Sequence, residues 1–125
     1  METCRAMKVA TIFLAAPTST PERVKRIAHD STGFIYYVSL TGVTGTRKKL
    51  PFGVISHVKF IKSVTSKPVC VGFGVSTPAQ AHGLARIADG VIVGSAIVKI
   101  IGGRRDILKR VSNFARGLAR AIHGS

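Results

Sequence analysis

One segment carries the clearest fold signal of the chain: Pro68-Val69-Cys70-Val71-Gly72-Phe73-Gly74-Val75-Ser76-Thr77-Pro78-Ala79-Gln80. It opens with a continuous apolar run, which is typical of a strand buried on both faces of a parallel sheet. Thr77 then supplies a capping hydroxyl, Pro78 occupies the first helical position, and Gln80 completes a capping box. The stretch therefore predicts a strand, a glycine-bearing turn and a helix in direct succession.

The same pattern recurs along the whole chain. Apolar runs predict four strands, at residues 9–15, 34–39, 68–73 and 90–93. Helix signals follow each of them, at a capped segment from Thr20-Pro21-Glu22, an apolar stripe over residues 54–61, the capped segment from Thr77, and an amphipathic segment over residues 107–122. The resulting β-α-β-α-β-α-β-α order indicates parallel strands joined by right-handed crossovers.

Length and composition limit the class of protein. A chain of 125 residues makes about one domain. Hydrophobic residues at 46% and a mean hydropathy of +0.29 exclude intrinsic disorder. We expect a single domain over residues 1–125, with residues 1–8 either disordered or a start extension. No apolar stretch is long enough to predict a membrane span.

The start of the chain and its cysteines predict a compartment. Met1-Glu2-Thr3-Cys4-Arg5 lacks the pattern of a secretory signal, and two cysteines cannot build a disulfide scaffold. We therefore expect a soluble protein of the cytoplasm, with a plastid as the alternative location.

The charge is strongly basic, with 19 Lys and Arg against five Asp and Glu and a net charge of +14. The cations cluster only at Arg47-Lys48-Lys49, Arg104-Arg105 and Lys109-Arg110. Since no aromatic platform accompanies them, we expect a solvated surface with non-specific affinity for polyanions, and no specific nucleic-acid site. An alternative role for the cluster at residues 47–49 is to steer a phosphorylated substrate.

Histidine and cysteine spacing favours no metal site. The four histidines share no ligand spacing, and we expect each on a helix surface or end: His29, His57, His82 and His123. Cys70 lies in a predicted buried strand, where it would act as a small hydrophobe.

Glycine-bearing segments follow three of the predicted strands. They are Gly42-Val43-Thr44-Gly45, Gly72-Phe73-Gly74-Val75-Ser76 and Gly94-Ser95-Ala96-Ile97, the last able to open a short helix. Carboxyl ends of parallel strands are where α/β proteins bind ligands, and glycine lets backbone N–H groups approach an anion. The segments therefore predict a phosphate site, with tight turns alone as the alternative interpretation.

Five ordered motifs extend this pattern over residues 9–122. They are Phe13-Leu14-Ala15-Ala16-Pro17-Thr18, Gly33-Phe34-Ile35-Tyr36-Tyr37-Val38-Ser39, Gly42-Val43-Thr44-Gly45, Gly72-Phe73-Gly74-Val75-Ser76-Thr77-Pro78, and Asp89-Gly90-Val91-Ile92-Val93-Gly94-Ser95-Ala96-Ile97-Val98-Lys99-Ile100. In order and spacing they resemble the α subunit family of tryptophan synthase. That family is a (β/α)8 barrel, and such barrels run to about 250 residues. The resemblance implies that this chain is the (βα)4 half formed by strands five to eight.

The resemblance also implies an activity and a site. The family cleaves indole-3-glycerol phosphate to indole and glyceraldehyde 3-phosphate, a lyase reaction of tryptophan biosynthesis. Indole then passes to a β subunit that carries pyridoxal phosphate, so no cofactor is implied in this chain. By motif match, the site residues are the phosphate ligands Gly45, Gly74, Gly94 and Ser95, the indole-pocket residue Phe73, Tyr36 beside the glycerol, and Thr44 in a closing loop.

Two departures from the family pattern limit that implication. The family's two catalytic carboxylates belong to the first half of the barrel, and none of the five acids here directly follows a predicted strand: Glu2, Glu22, Asp30, Asp89 and Asp106. Leu40 stands where the family often has a polar or basic residue. The chain is therefore interpreted either as an enzyme half that needs carboxylates from elsewhere or as a non-catalytic module that binds phosphate ligands.

An open half-barrel predicts association. Its edge strands would be left unpaired, and unpaired edges readily join another chain. We expect either self-association into a dimer that resembles a closed barrel or docking with a missing first half.

Overall fold

The computed structural model describes residues 2–39, 53–72, 74–103 and 105–124. Within these ranges the chain forms a four-stranded parallel sheet with helices between the strands. In chain order the elements are α1 (Glu2–Ala6), β1 (Leu14–Ala15), α2 (Pro21–Asp30), β2 (Ile35–Val38), α3 (Val54–Val64), β3 (Val69–Gly72), α4 (Pro78–Ala85), β4 (Gly90–Val91), α5 (Ser95–Ile101) and α6 (Ile107–His123). None of these helices is long and apolar enough to cross a membrane.

The sheet follows chain order, β1-β2-β3-β4, and every pairing is parallel. Leu14 lies beside Tyr36, Tyr36 beside Cys70, and Cys70 beside Gly90. The predicted α/β architecture with parallel strands is confirmed. In the described sheet β1 and β4 each have one neighbouring strand, so both lie at an edge.

Local capping fixes where the helices begin. The Thr20 hydroxyl accepts a hydrogen bond from the Arg23 amide at 3.3 Å, and Pro21 opens α2. At α4 the Thr77 hydroxyl accepts from the Gln80 amide at 3.3 Å, while the Gln80 side-chain oxygen accepts from the Thr77 amide at 3.2 Å. Both predicted caps are confirmed, because they depend only on residues within one helical turn.

The hydrophobic core lies between one face of the sheet and its helices. The strands contribute side chains that are almost completely buried: Ala15, Ile35, Tyr37, Val69 and Val71. The helices contribute a second set: Val24, Ile27, Ala28, Val54, Val58, Ile61, Ala81, Leu84 and Leu118. Helix α6 closes the layer by packing against α4 and α5.

The opposite face of the sheet is only partly covered. Leu14 is 58% exposed, and Tyr36, Val38 and Cys70 are half-buried. We call this the inner face, because in a closed barrel these positions point into the interior. The prediction of strands buried on both faces is therefore wrong, as is the prediction of a buried Cys70. Helices cover the outer face alone, and a four-stranded sheet cannot fold back to cover the inner one.

Two of the strands are shorter than the apolar runs predict. The run at residues 9–15 pairs only at Leu14–Ala15, and the run at 90–93 pairs only at Gly90–Val91. Thr11 is held instead by Thr32, whose hydroxyl accepts from the Thr11 amide at 2.8 Å. An edge strand has one partner, so hydrogen bonds of this kind replace the sheet ladder beyond the short paired segment.

Two short helices flank the sheet in sequence. Residues 1–8, expected to be disordered or an extension, begin with helix α1, whose residues are largely exposed. The segment from Gly94 opens α5, so the predicted short helix after the fourth strand is confirmed.

Asp89 ties the start of β4 to the neighbouring strand and helix. Its carboxylate accepts hydrogen bonds from the Lys62 ammonium at 2.7 Å and from the Val69 amide at 2.9 Å. The Lys62 bond, followed by the Val69 bond, lowers the pKa of Asp89 below its ordinary value of 3.8. Stability from this carboxylate is therefore present above about pH 4 and is lost as the pH falls through the lowered value.

We predict that Asp89→Asn reduces the free energy of unfolding by about 1 kcal/mol at pH 7, a value that allows for screening by solvent. The loss relative to the unsubstituted chain should shrink below pH 4, where the natural carboxyl also becomes neutral. Urea unfolding between pH 3 and pH 7 measures this difference. The control is Asp106→Asn, which changes an exposed carboxyl before α6. This variant should show the same dependence of unfolding free energy on pH as the unsubstituted chain. A difference that stays constant with pH would contradict the assignment.

Candidate functional site

The sheet register brings two of the glycine segments together at the carboxyl end of the sheet, where the strands finish. The Ile92 amide donates to the Val71 carbonyl at 2.9 Å, which places Gly72 and Ile92 side by side where β3 and β4 end. Gly74 and Gly94 each follow two residues later. The predicted site residues Gly45, Thr44 and Phe73 lie outside the described residues, as do Leu40 and the cations at 47–49.

The two glycines have local features suited to close approach by a ligand. Gly74 has a φ of +47°, a left-handed conformation that favours glycine. At Gly94 a Cβ would meet no atom of the described residues within 4 Å. Gly94 directly precedes α5, and its carbonyl accepts from the Ile97 and Val98 amides at 3.0 and 3.1 Å. The first N–H groups of a helix have no acceptor within it, and Ser95, which begins α5, is exposed.

Tyr36 lies on the inner face and leans over the end of β3. A methyl group placed on Gly72 would lie 2.8 Å from Tyr36 Oη, 2.9 Å from Tyr36 Cε2 and 3.0 Å from the Cβ of Ile92. Only a residue without a side chain leaves room for this ring. Gly72 therefore leaves room for the Tyr36 ring to extend toward the carboxyl end of the sheet, where Gly74 and Gly94 also lie.

The neighbouring residue, Tyr37, lies on the outer face of the sheet, which the helices cover. Tyr37 is 1% exposed, and its hydroxyl is hydrogen bonded to Nδ1 of His57 at 2.8 Å. Burial raises the pKa of Tyr37. His57 is half-buried on α3 through this bond, whereas the sequence predicts only a position on a helix surface. Strand alternation places Tyr36 and Tyr37 on opposite faces, but the pairing across 20 residues has no local sequence signal.

Carboxyl groups in the described chain do not gather at this edge of the sheet. None of the five directly follows a strand, and Asp89 precedes β4 at the opposite end. Asp30 ends α2, where a hydrogen bond from His29 lowers the pKa of its carboxyl. The described residues also hold no cluster of three or more His, Cys, Asp or Glu side chains that could bind a metal ion. Among the described residues, the carboxyl end of the sheet carries the backbone of Gly74 and Gly94, the side chain of Ser95 and the side chain of Tyr36.

We predict that Gly72→Ala lowers the free energy of unfolding by about 1–3 kcal/mol, because the new methyl group displaces Tyr36 or Ile92. Gly83→Ala is the matched control, since it lies inside α4 with no atom within 4 Å of its Cβ position. That control should gain about 0.5–1 kcal/mol from the better helix propensity of alanine. Chemical unfolding of both variants measures the contrast, and equal stability would contradict the packing of Tyr36 on Gly72.

Curated relatives of this chain are tryptophan synthase alpha chains. The protein from Geotalea daltonii is 54% identical over 91 residues, which cover 73% of this chain and 34% of that protein. The protein from Microcystis aeruginosa is 48% identical over 125 residues, which cover 98% of this chain and 47% of that protein. The chain therefore spans less than half the length of these relatives.

Solved structures lead to the same family. The tryptophan synthase α2β2 complex from Pyrococcus furiosus contains a chain that superposes with a TM-score of 0.84 at 39% identity, covering 94% of this chain and 48% of that one. Tryptophan synthase from M. tuberculosis gives a TM-score of 0.81 at 35% identity, covering 97% and 43%. Because the matched alpha subunits are (β/α)8 barrels, the predicted half-barrel is confirmed. The family model of the tryptophan synthase alpha chain matches residues 1–123, and the chain belongs to that family.

Proposed function

We propose that this chain is the phosphate-binding half of a tryptophan synthase alpha subunit, and that it works in the cleavage of indole-3-glycerol phosphate. The observation that carries the proposal is the family match over residues 1–123, in a chain that covers 47% or less of the two curated relatives described above. The position of the glycines at one edge of the sheet adds independent support. Those glycines lie where a barrel of this kind binds phosphate.

The substrate phosphate would be held by Gly74, Gly94 and Ser95, together with Gly45. Backbone N–H groups at the start of a helix carry partial positive charge, and a glycine keeps side-chain atoms away from the anion. The lack of described atoms around the Cβ position of Gly94 and the exposed Ser95 support this assignment. The binding energy would come from hydrogen bonds to an ionised group, which are stronger than those between neutral partners.

The reacting part of the substrate would lie over the inner face. We propose that the Tyr36 hydroxyl contacts the glycerol portion, and the closeness of the Tyr36 ring to Gly72 supports this assignment. Phe73 would line the indole pocket, and Thr44 would belong to the loop that closes over it. These three residues orient the substrate and exclude water.

The cleavage step itself needs groups beyond these. The bond between the indole ring and the glycerol chain breaks, the ring carbon gains a proton, and the chain hydroxyl loses one to become an aldehyde. A positioned proton acceptor and donor must therefore be present. The family resemblance implies that two carboxyl groups fill these roles. Because none of the five carboxyl groups follows a strand, we propose that the acid and base come from the part of the barrel that lies outside this sequence.

We also propose that the indole product passes to a β subunit. The Pyrococcus furiosus relative forms an α2β2 tryptophan synthase complex. A completed barrel containing this chain would present indole to a β subunit in the same way. The curated relatives from Geotalea daltonii and Microcystis aeruginosa are bacterial proteins, and we propose the cytoplasm as the site of the reaction.

The test mixes this chain with the part of the Microcystis aeruginosa alpha chain that it does not match, then measures indole release from indole-3-glycerol phosphate. We predict turnover by the mixture and none by either component alone. Gly94→Glu places a carboxylate in the phosphate site and should raise KM at least tenfold by charge repulsion. Gly83→Glu is the control with the same change of charge within α4.

Each other outcome has a defined meaning. Binding of the substrate without turnover by the mixture would support the alternative interpretation, a non-catalytic module that binds phosphate ligands. The family match does not favour that alternative. Turnover that is insensitive to Gly94→Glu would remove the phosphate assignment. Absence of both binding and turnover would contradict the proposed function as a whole.

A further inference from the structure

Both tyrosines of the chain lie side by side in β2, and they point to opposite faces of the sheet. Tyr36 is half-buried on the inner face, whereas Tyr37 is 1% exposed on the outer face. The sequence contains no further tyrosine and no tryptophan. The proposed substrate site uses Tyr36, and it leaves the Tyr37 hydroxyl without a role.

The Tyr37 hydroxyl is a polar group that burial alone does not explain. Tyr37 is the largest of the fully buried side chains in the described part of the chain, and it lies in the hydrophobic core. Phenylalanine would fill the same space apart from one oxygen atom, without the cost of removing a hydroxyl from water. A buried hydroxyl needs a hydrogen-bond partner, and the bond depends on distance and angle. The hydroxyl therefore restricts the position of the ring more than apolar contacts alone would.

His57 supplies the partner from α3. Its Nδ1 lies 2.8 Å from the Tyr37 hydroxyl oxygen, and the two ring centroids are 6.0 Å apart with an interplanar angle of 54°. Burial raises the pKa of Tyr37, so the hydroxyl keeps its proton at neutral pH. His57 is one helical turn from Val54 and from Ile61, which are both 1% exposed. The bond therefore ties β2 to a firmly packed part of α3.

The backbone of β2 transmits this restraint to Tyr36. A planar peptide bond joins Tyr36 to Tyr37, and consecutive side chains of a strand point to opposite faces. A rotation of the strand that withdraws Tyr37 from α3 therefore also moves Tyr36. The Tyr36 ring is close to the backbone of β3, because a methyl group on Gly72 would lie 2.9 Å from Tyr36 Cε2. A small rotation of β2 is thus enough to change the distance between this ring and Gly72.

We infer that Tyr37 and His57 are positioning residues, whose hydrogen bond sets the rotation of β2 and thereby holds the Tyr36 ring against Gly72. The inference rests on the proposed function, since Tyr36 is the residue proposed to contact the glycerol portion of the substrate. Tyr37 itself lies under the helices of the outer face, so it acts through Tyr36. Loss of the bond should disturb the orientation of the substrate more than the capture of its phosphate.

Nuclear magnetic resonance of the full chain, labelled with carbon-13 in its tyrosine rings, tests the placement of Tyr36. The chain has two tyrosines, and Tyr36→Phe and Tyr37→Phe assign their signals. We expect His57→Leu to shift the Tyr36 signal and to remove the nuclear Overhauser effect between the Tyr36 ring and the α-protons of Gly72. His57→Asn should restore both, because its amide oxygen and nitrogen lie as many bonds from the backbone as Nδ1 does and can accept or donate.

The matched control is His82→Leu. Nδ1 of His82 is hydrogen bonded to the Ala121 carbonyl at 2.8 Å, a bond of the same length that joins α4 to α6 and does not involve β2. This variant should leave the Tyr36 signal in place. Should His57→Leu fail to fold, Tyr37→Phe removes the hydroxyl alone and should weaken the same Overhauser effect. An unchanged Tyr36 contact in the folded test variants, or an equal change in His82→Leu, would overturn the inference.

Indole release by the mixture with the unmatched part of the Microcystis aeruginosa alpha chain tests the consequence for the substrate. We expect His57→Leu to lower kcat by about fivefold or more and to change KM by less than about twofold, because the groups that hold the phosphate are unaltered. His82→Leu should leave both constants unchanged. In a Tyr36→Phe background His57→Leu should change kcat by less than about twofold, since effects that pass through one residue are not additive.

The two measurements separate this inference from the proposed function. A lost Tyr36–Gly72 contact in His57→Leu with an unchanged kcat would overturn the inference and leave the lyase role in place. Absence of indole release from the unsubstituted mixture would remove the lyase role, whereas the resonance measurement would still show whether the Tyr37–His57 bond positions Tyr36.

Discussion

Helices cover only one face of the parallel sheet, and the arrangement of the other elements follows from this one-sided burial. On the outer face, helices bury side chains such as Ala15 completely, while the adjacent Leu14 on the inner face is 58% exposed. Burial of apolar surface contributes roughly 25 cal/mol per Å², so an uncovered inner face leaves stabilisation unrealised. A parallel sheet of this kind is stable in nature with both faces covered. The half-barrel is thus folded on one side and ready for a partner on the other.

The arrangement of the candidate site follows from that sheet. The carboxyl ends of parallel strands lie at the same end of the sheet. Because β3 and β4 pair in register, the segments at Gly74 and Gly94 are neighbours. Gly72 leaves room for the Tyr36 ring, which links the glycine edge to the inner face. Binding groups and the surface for a partner are therefore contiguous. A polypeptide that covers the inner face would bring its own side chains next to any phosphate held at this edge.

Local features of the fold could be predicted from the sequence, and features that depend on distant residues could not. The caps at Thr20 and Thr77 were predictable because each involves one helical turn. The Tyr37–His57 hydrogen bond joins two elements, and no spacing within either element indicates it. Full burial of Cys70 was wrongly predicted, since a continuous apolar run looks the same whether or not the second face is covered. The site residues depend on the resemblance to a family, because glycine-rich turns alone do not distinguish binding from simple chain reversal.

The central claim is that the inner face is open in this chain and becomes buried when a partner completes the barrel. Cys70 reports on it directly, since its side chain lies on that face, and its ladder partner Tyr36 points the same way. The measurement is the rate of alkylation of Cys70 in a Cys4→Ser variant, with and without the unmatched part of the Microcystis aeruginosa alpha chain. Burial, followed by the charge of Asp89, raises the pKa of the Cys70 thiol, so both rates should be measured at the same alkaline pH. We expect a reactive thiol in the chain alone and at least tenfold slower alkylation in the complex. An unchanged rate in a formed complex would mean that the inner face stays open.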